Sequence, residues 1–275
     1  MKASNKVTKF YDVLGNWIIE QYKNQRNDLK NRPYIVGLNA PQGSGKTTLT
    51  TYLTEHFKNK GIPALAISID DFYLTHKDQL QIAKRYSENT LLQQRGYPGT
   101  HDLTLGESVL GQLGRAAKIP RYDKSAFSGK GDRRPEDKWS VLKHSPQIVF
   151  VEGWMLGFEK QSHEHIDKVL KNEVGTSPQS FYEINDFLPQ YKKWEKYFDA
   201  FIHLYVENTK YIIDWRIEAE EKMKASGSDG MSLKEVENYI KKFTPAYKIY
   251  VPQLIDRKFN IPHIKIEIQN NRIPA

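Results

Sequence analysis

Five short apolar runs, each rich in β-branched residues, punctuate the chain: "YIVGLN" (34–39), "IPALAISI" (62–69), "QIVFVE" (147–152), "DAFIHLYVE" (199–207) and "HIKIEIQ" (263–269). Near-continuous apolar runs of this length suit strands covered on both faces. Between them lie stretches with helical spacing: residues 47–59, the segment "GESVLGQLGRAA" and the segment "DWRIEAEEKMKA". Ser-Leu-Lys-Glu at 232–235 is a capping-box pattern and predicts a helix start before "VENYIKKF". The opening "MKASNKVTKFYDVLGNWIIEQYKN" has apolar residues at helical spacing and predicts an amphipathic packing helix within residues 1–30. Residues 159–198, charged and aromatic without clear period, are expected to be a helical insertion, and "ASGSDGM" just before the capping box has the composition of a mobile loop. The whole predicts an α/β fold with a mainly parallel sheet, elaborated as a single domain over residues 1–275.

Composition narrows the class without naming a chemistry. At 39% hydrophobic, 27% charged and 12% aromatic, the chain reads as an ordinary soluble globular protein. No apolar run approaches the roughly 20 residues needed to span a bilayer. The N-terminus shows neither the compact apolar core and small-residue cleavage site of a secretory signal nor a Ser- and Arg-rich leader, so a cytoplasmic location is the default expectation. The absence of cysteine excludes disulfides, thiolate metal sites and cysteine catalysis. Net charge is +8, but the positive residues are scattered and interleaved with Glu and Asp, which favours a solvated basic surface over a nucleic-acid patch.

The chemistry begins where the first apolar run ends. Residues 39–48 read "NAPQGSGKTT", and the register Ala40-Pro-Gln-Gly-Ser-Gly45-Lys46-Thr47 matches the phosphate-binding pattern G-x-x-x-x-G-K-[ST], with Ala for the first Gly. A strand precedes it and a helix follows, as the pattern requires. Gly43 and Gly45 let the backbone turn with its N–H groups exposed, and the positive end of the helix dipole adds to their pull on an anion. Gly43, Ser44, Gly45, Lys46, Thr47 and Thr48 are thus the candidate nucleotide-binding residues, with Lys46 reaching the β- and γ-phosphates and Thr47 offering a hydroxyl to Mg²⁺.

Two further runs end in carboxylates: "AISIDDFY" in Asp70 and Asp71, and "QIVFVEGW" in Glu152. Ligands of an open parallel sheet sit beyond the carboxyl ends of its strands, so these side chains are expected in the same crevice as the phosphate loop. Mg²⁺ takes one or two carboxylates with phosphate oxygens and water, which makes Thr47, Asp70 and Glu152 the candidate metal set. A carboxylate near the γ-phosphate can also accept the proton of an attacking hydroxyl; Asp70 is assigned that role and Asp71 is the weaker candidate. Downstream, "LLQQRGYPGTHD" (91–102) and "IPRYDKSAFSGKGDRRP" (119–135) concentrate Arg, Lys, Tyr and His on non-periodic loops suited to holding a small anion.

Together "SIDDFYLT", "RGYPGTHD", "PRYDKSAFSGKGDR", "VEGWMLGF", "WRIEAEEKM", "GMSLKEVENYIKKFTPAYKIYVPQL" and "IKIEIQNNRIPA" resemble the D-glycerate 3-kinases of plant and cyanobacterial type and related fungal kinases. The resemblance runs from about residue 34 to the end and is weakest over 159–198. It implies the P-loop NTPase three-layer α/β/α sandwich with a helical lid, use of ATP and Mg²⁺, and kinship with uridine kinase, phosphoribulokinase and bacterial pantothenate kinase. It also implies that Asp70 is the base of a D-x-F motif, that Glu152 ends the Walker B strand, that Tyr122 and Asp123 contact the acceptor, and that Arg216, helped by Lys222, closes over the phosphates from a lid within residues 210–245. Tyr73, Arg95, His101 and Lys124 complete the expected acceptor site, the last three because glycerate carries a carboxylate that needs a cationic partner.

The expected reaction is in-line phosphoryl transfer from ATP to D-glycerate, with the "ASGSDGM" loop as lid hinge, by a monomer or homodimer that engages neither nucleic acid nor membrane. A P-loop kinase for another hydroxyl acceptor, such as a nucleoside or pantothenate, is the alternative within enzymes; a nucleotide-dependent regulator or nucleic-acid-binding ATPase is the alternative outside them.

Overall fold

The computed structural model describes residues 5–29, 31–115, 117–171, 173, 176–225 and 232–275. The first half of the chain runs α1 (Asn5–Gln25), β1 (Tyr34–Asn39), α2 (Lys46–Asn59), β2 (Ala64–Ser68), α3 (His76–Arg85) and α4 (Leu103–Gln112). Four two-residue strands follow: β3 (Lys118–Ile119), β4 (Tyr122–Asp123), β5 (Asp132–Arg133) and β6 (Ser140–Val141). Then come β7 (Ile148–Gly153), α5 (His163–Leu170), α6 (Pro178–Phe187), α7 (Lys192–Glu195) and β8 (Ala200–Tyr205). The chain closes with α8 (Lys210–Ala225), α9 (Leu233–Lys241), α10 (Thr244–Asp256) and β9 (His263–Glu267).

The five apolar runs form one sheet in the order β2-β7-β1-β8-β9, and every neighbouring pair is parallel. β1 and β7, at its centre, are buried at all six positions, which is why their sequences show no alternation. Helix α2 packs against β2 and β7, and α1 lies against α2. There the Tyr52 hydroxyl donates to Asp12 across 2.6 Å. On the other side of the central strand, Gly37 leaves room for two rings: a Cβ there would stand 2.6 Å from Phe198 and 2.7 Å from Phe201. Helices do occupy the 159–198 region, where Trp194, fully buried, stacks beside Phe72 and seats its indole against Gly106 of α4.

Several boundaries move. Helix α4 begins at Leu103, capped by Asp102 accepting from the Leu105 N–H, three residues before the stretch chosen on its period. Helix α3 and the antiparallel pairs β3·β6 and β4·β5 are additional elements. The capping box at Ser232 is present in full, with Ser232 and Glu235 bonded reciprocally ahead of α9. Residues 226–231, most of the expected hinge, lie outside the described residues.

One ion pair ties the edge of the first strand to the fourth. Asp199, just ahead of β8, accepts from both Arg32 guanidinium nitrogens (2.7 and 2.6 Å) and from the Ile35 N–H (2.9 Å). It is buried while Arg32 remains half exposed, so losing the carboxylate leaves a backbone donor and a cation short of a partner. Asp199→Ala is expected to cost about 1–3 kcal/mol. A thermal melt should then shift down by roughly 2–4 °C per kcal/mol for a protein of this size.

Candidate active site

β1 delivers the chain to a tight loop that α2 immediately takes up. Gly43 (φ 76°) and Gly45 (φ 91°) lie in the left-handed region, and a Cβ on Gly43 would stand 2.8 Å from Cβ of Trp215. Gly45 is the N-cap of α2 and has no side chain to bond the first N–H groups, so these remain donors for a ligand. The loop is braced from behind: the Gln42 N–H donates to the Tyr247 hydroxyl of α10 (3.0 Å), and the Ser44 hydroxyl donates to Pro41 O (2.7 Å). Lys46 Nζ donates to the same carbonyl at 3.1 Å, while Thr47 and Thr48 stand exposed at the helix mouth.

Register places the carboxylates beside this loop. Glu152 pairs with Leu38 on one side and Ser68 on the other, so it emerges one residue short of where β1 ends. Ser68 caps the turn that follows β2, accepting from the Asp70 N–H (3.3 Å), and lies opposite Glu152 in the sheet. Burial lowers the pKa of Lys46, against the pull of Glu152 and Asp70. Burial likewise raises Glu152, against Lys46. For Asp70 burial acts in the same upward direction, but Lys124, whose Nζ lies 2.6 Å from Oδ2, and Lys46 together hold the carboxyl below its usual value. Asp71 turns the other way, accepting from Arg121 (2.8 Å) and the Tyr122 N–H (3.1 Å), and serves to anchor the following loop.

The remaining candidates gather around Asp70 with unequal success. Tyr73 lies in the electrostatic neighbourhood of Asp70 and is stacked on His101 at 4.4 Å between centroids. Tyr122 meets the Tyr73 ring edge-on at 5.4 Å. Asp123 points away, bonded to Ser125 and paired with Arg134 at 3.4 Å. Arg216 on α8 pairs with Glu220 and lies over the Tyr239 ring at 5.3 Å, with its backbone nitrogen 3.7 Å from where a Gly43 Cβ would be. Lys222 pairs with Glu218 on the same helix.

A phosphate loop, a carboxylate at the end of β7 and another just past β2, and an arginine-bearing helix over the loop form the constellation of a phosphoryl-transfer enzyme. Residues 35–176, just over half of the chain, match the model of the phosphoribulokinase / uridine kinase family. The chain belongs to that family. It is 37% identical over 228 residues to the chloroplastic D-glycerate 3-kinase of Arabidopsis thaliana, a match covering 81% of this chain and 48% of the plant protein, so it spans about half the length of that relative. An uncharacterized kinase of Schizosaccharomyces pombe is 34% identical over 257 residues, covering 89% of this chain and 91% of the relative. Among solved structures, the D-glycerate 3-kinase of Cryptococcus neoformans superposes with a TM-score of 0.88 at 28% identity, over 96% of this chain and 97% of the other. The P-loop α/β fold is that of this kinase family. Among the described residues no helix is long and apolar enough to cross a membrane.

Two acceptor-site expectations need correction within this kinase framework. His101 is not a cation: burial lowers it to about 4. The Tyr191 hydroxyl accepts from the Gly99 N–H (3.2 Å) and lies 2.8 Å from His101 Nδ1, while His101 Nε2 is buried with no hydrogen-bond partner among the described residues. Arg95 is spent on backbone, donating to the carbonyls of Gly129 (2.9 Å), Lys130 and Lys124 (3.3 Å), so it shapes a loop instead of offering a free guanidinium. Two residues were passed over. Tyr239 on α9 belongs to the electrostatic neighbourhood of Asp70, Lys124 and Arg216, yet its spacing from Val236 and Ile240 reads as helix core. Arg272 donates to Gly43 O (3.1 Å) and Glu218 (2.7 Å) and lies over Trp215 at 5.3 Å, joining the closing turn to the phosphate loop and α8.

Gly43→Ala should weaken nucleotide binding by roughly tenfold or more, since a side chain in the left-handed region costs about 1–2 kcal/mol before its clash with Trp215 is counted. Calorimetric titration with ATP, beside a melt showing an intact fold, measures it. A second expectation concerns pH. His101 and His203 are both buried and held neutral, at about 4 and about 3 against an ordinary 6.5. The unfolded chain takes up protons that the folded one refuses, so stability is complete above pH 6.5 and falls as pH drops toward 4. Each histidine contributes at most about 1.4 kcal/mol per pH unit. Denaturant melts across that range, flattened in His203→Leu, provide the check.

Proposed function

We propose that this chain is an ATP-dependent D-glycerate 3-kinase, converting D-glycerate and ATP to 3-phospho-D-glycerate and ADP. The observation that carries the reading is the position of Asp70, between a phosphate-side cation, Lys46, and an acceptor-side cation, Lys124, with both acting on its carboxylate. D-glycerate brings to one place a primary hydroxyl to be phosphorylated and a carboxylate to be held, and this arrangement accommodates both. The names of the plant and Cryptococcus relatives point to the same substrate.

The residues present fit the groups the reaction needs. Gly43 to Thr48 supply turned backbone, helix N–H donors and a partly buried ammonium for the phosphates of ATP, and Thr47, Asp70 and Glu152 supply the hard oxygens Mg²⁺ prefers. MgATP, when bound, supplies the phosphoryl group and a divalent charge. Asp70 accepts the proton of the acceptor hydroxyl, Lys46 and Arg216 offset the charge spread over the moving phosphoryl oxygens, and Glu152 with Ser68 fixes the geometry between β2 and β7. Tyr73, Tyr122, Lys124 and His101 orient the acceptor. Helices α8 and α9, within residues 210–245, act as lid and following helix of one kinase domain, in a cytosolic monomer or homodimer.

In a coupled assay for ADP release with MgATP, D-glycerate should stimulate turnover, while L-glycerate, uridine and pantothenate should not. Asp70→Asn should lower kcat by about 10²- to 10⁴-fold, the usual worth of a general base. Lys46→Ala should lower it by about 10²- to 10³-fold, as expected for a lost charge-stabilising donor. ATP consumption indifferent to glycerate would sink the substrate; full activity in Asp70→Asn would sink the base.

A further inference from the structure

The proposed base is already engaged. Lys124 Nζ sits 2.6 Å from Asp70 Oδ2, and Tyr73 lies in the electrostatic neighbourhood of the same carboxylate. A carboxylate clasped by an ammonium is a poor proton acceptor, because the ammonium stabilises its ionised form. Only one of these two groups can be drawn away. Tyr73 cannot, because its ring is 5% exposed and wedged against His101 and Tyr122. Lys124 can: its side chain is 60% exposed and ends in a point charge on a flexible four-carbon stem.

The backbone beneath Lys124 is fixed while its ammonium is free to swing. Arg95 donates to the carbonyls of Lys124, Gly129 and Lys130, and so clasps the loop at both ends. Phe127 (φ 51°) and Ser128 (φ 55°) are consecutive non-glycine residues in the left-handed region, a strained conformation that persists only where its surroundings enforce it. The Phe127 ring, stacked on His76 with centroids 4.0 Å apart, supplies part of that enforcement. The arginines of this loop have partners: Arg121 holds Asp71, Arg133 holds Asp102, and Arg134 holds Asp123.

We propose that Lys124 is a latch on Asp70: it holds the carboxylate until the anionic group of an acceptor draws the ammonium away, so that the base is freed only when such an acceptor is bound. The inference rests on the kinase reading above and adds a reason for its selectivity. An anionic acceptor is required twice, once for its own binding and once to release the base. Water and uncharged alcohols lack the counter-charge, so the latch stays closed and ATP is spared from hydrolysis.

The test compares wild type with Lys124→Met, which keeps the stem and removes the charge, using ADP release with D-glycerate, with glycerol and with no acceptor. Melting temperature and ATP affinity serve as controls for folding, and Lys124→Gln replaces Lys124→Met if the latter lowers either. The expected result is a KM for D-glycerate raised by about 10- to 100-fold, as for a lost charged hydrogen bond. Alongside it, acceptor-free ATP hydrolysis should rise several-fold and the preference for D-glycerate over glycerol should collapse. A raised KM with unchanged acceptor-free hydrolysis makes Lys124 an ordinary anion ligand and overturns the latch, as does an unchanged KM. If wild type turns over an anionic acceptor other than D-glycerate, the substrate reading fails and the latch is scored on that acceptor. If no anionic acceptor stimulates wild type, the latch is overturned as well.

Discussion

The register of three parallel strands fixes everything else at the site. Leu38 opposite Glu152, and Glu152 opposite Ser68, make β1, β7 and β2 end within a residue of one another on one side of the sheet. The phosphate loop, the Glu152 carboxylate and the turn carrying Asp70 leave from those three ends. A slip of one residue in any pairing would turn Glu152 to the opposite face and separate it from Lys46. Burial on both faces makes such a slip expensive, since each of the six positions of β1 and β7 is covered. Asn39 adds a lock at the exit, its amide donating to the carbonyls of Trp154 (3.0 Å) and Leu156 (2.7 Å) beyond the end of β7.

That register creates an electrostatic problem and its answer together. Two carboxylates and two ammonium groups are brought into one partly dehydrated crevice, and burial disfavours the charged form of Lys46 and Glu152. Each is kept usable by its neighbours of opposite sign, so removal of one leaves the others poorly compensated. Lys124 is the member with the most solvent contact.

What the sequence disclosed followed the distance over which each signal acts. The phosphate loop is a local pattern of ten residues and was legible with its strand and helix. Asp70 and Glu152 were legible because strand ends in a parallel sheet share one side, which turns a one-dimensional position into a three-dimensional one. The five strands fall within two residues of the apolar runs for the same reason. Helix α3 escaped because Gln79 is its sole buried residue, and the antiparallel pairs because two residues carry no period. The states of His101 and Arg95 depend on Tyr191, Gly129 and Lys130, brought close by the fold and distant in sequence. Residue type announced a cation at both positions, and burial in one case and backbone carbonyls in the other took the charge out of play.

The strand order also governs how the molecule comes into being. β1 is central, yet its neighbours β7 and β8 lie over a hundred residues further along the chain, so it cannot be enclosed until they have been made. Pairings of such long span are slow, because the entropy of closing the intervening loop is lost before any contact repays it. During synthesis, therefore, the nucleotide cradle emerges well before the strands that let it take shape. Until β8 arrives, the apolar run ahead of the loop is an open strand edge, and the growing chain is then at its most dependent on being shielded from its neighbours.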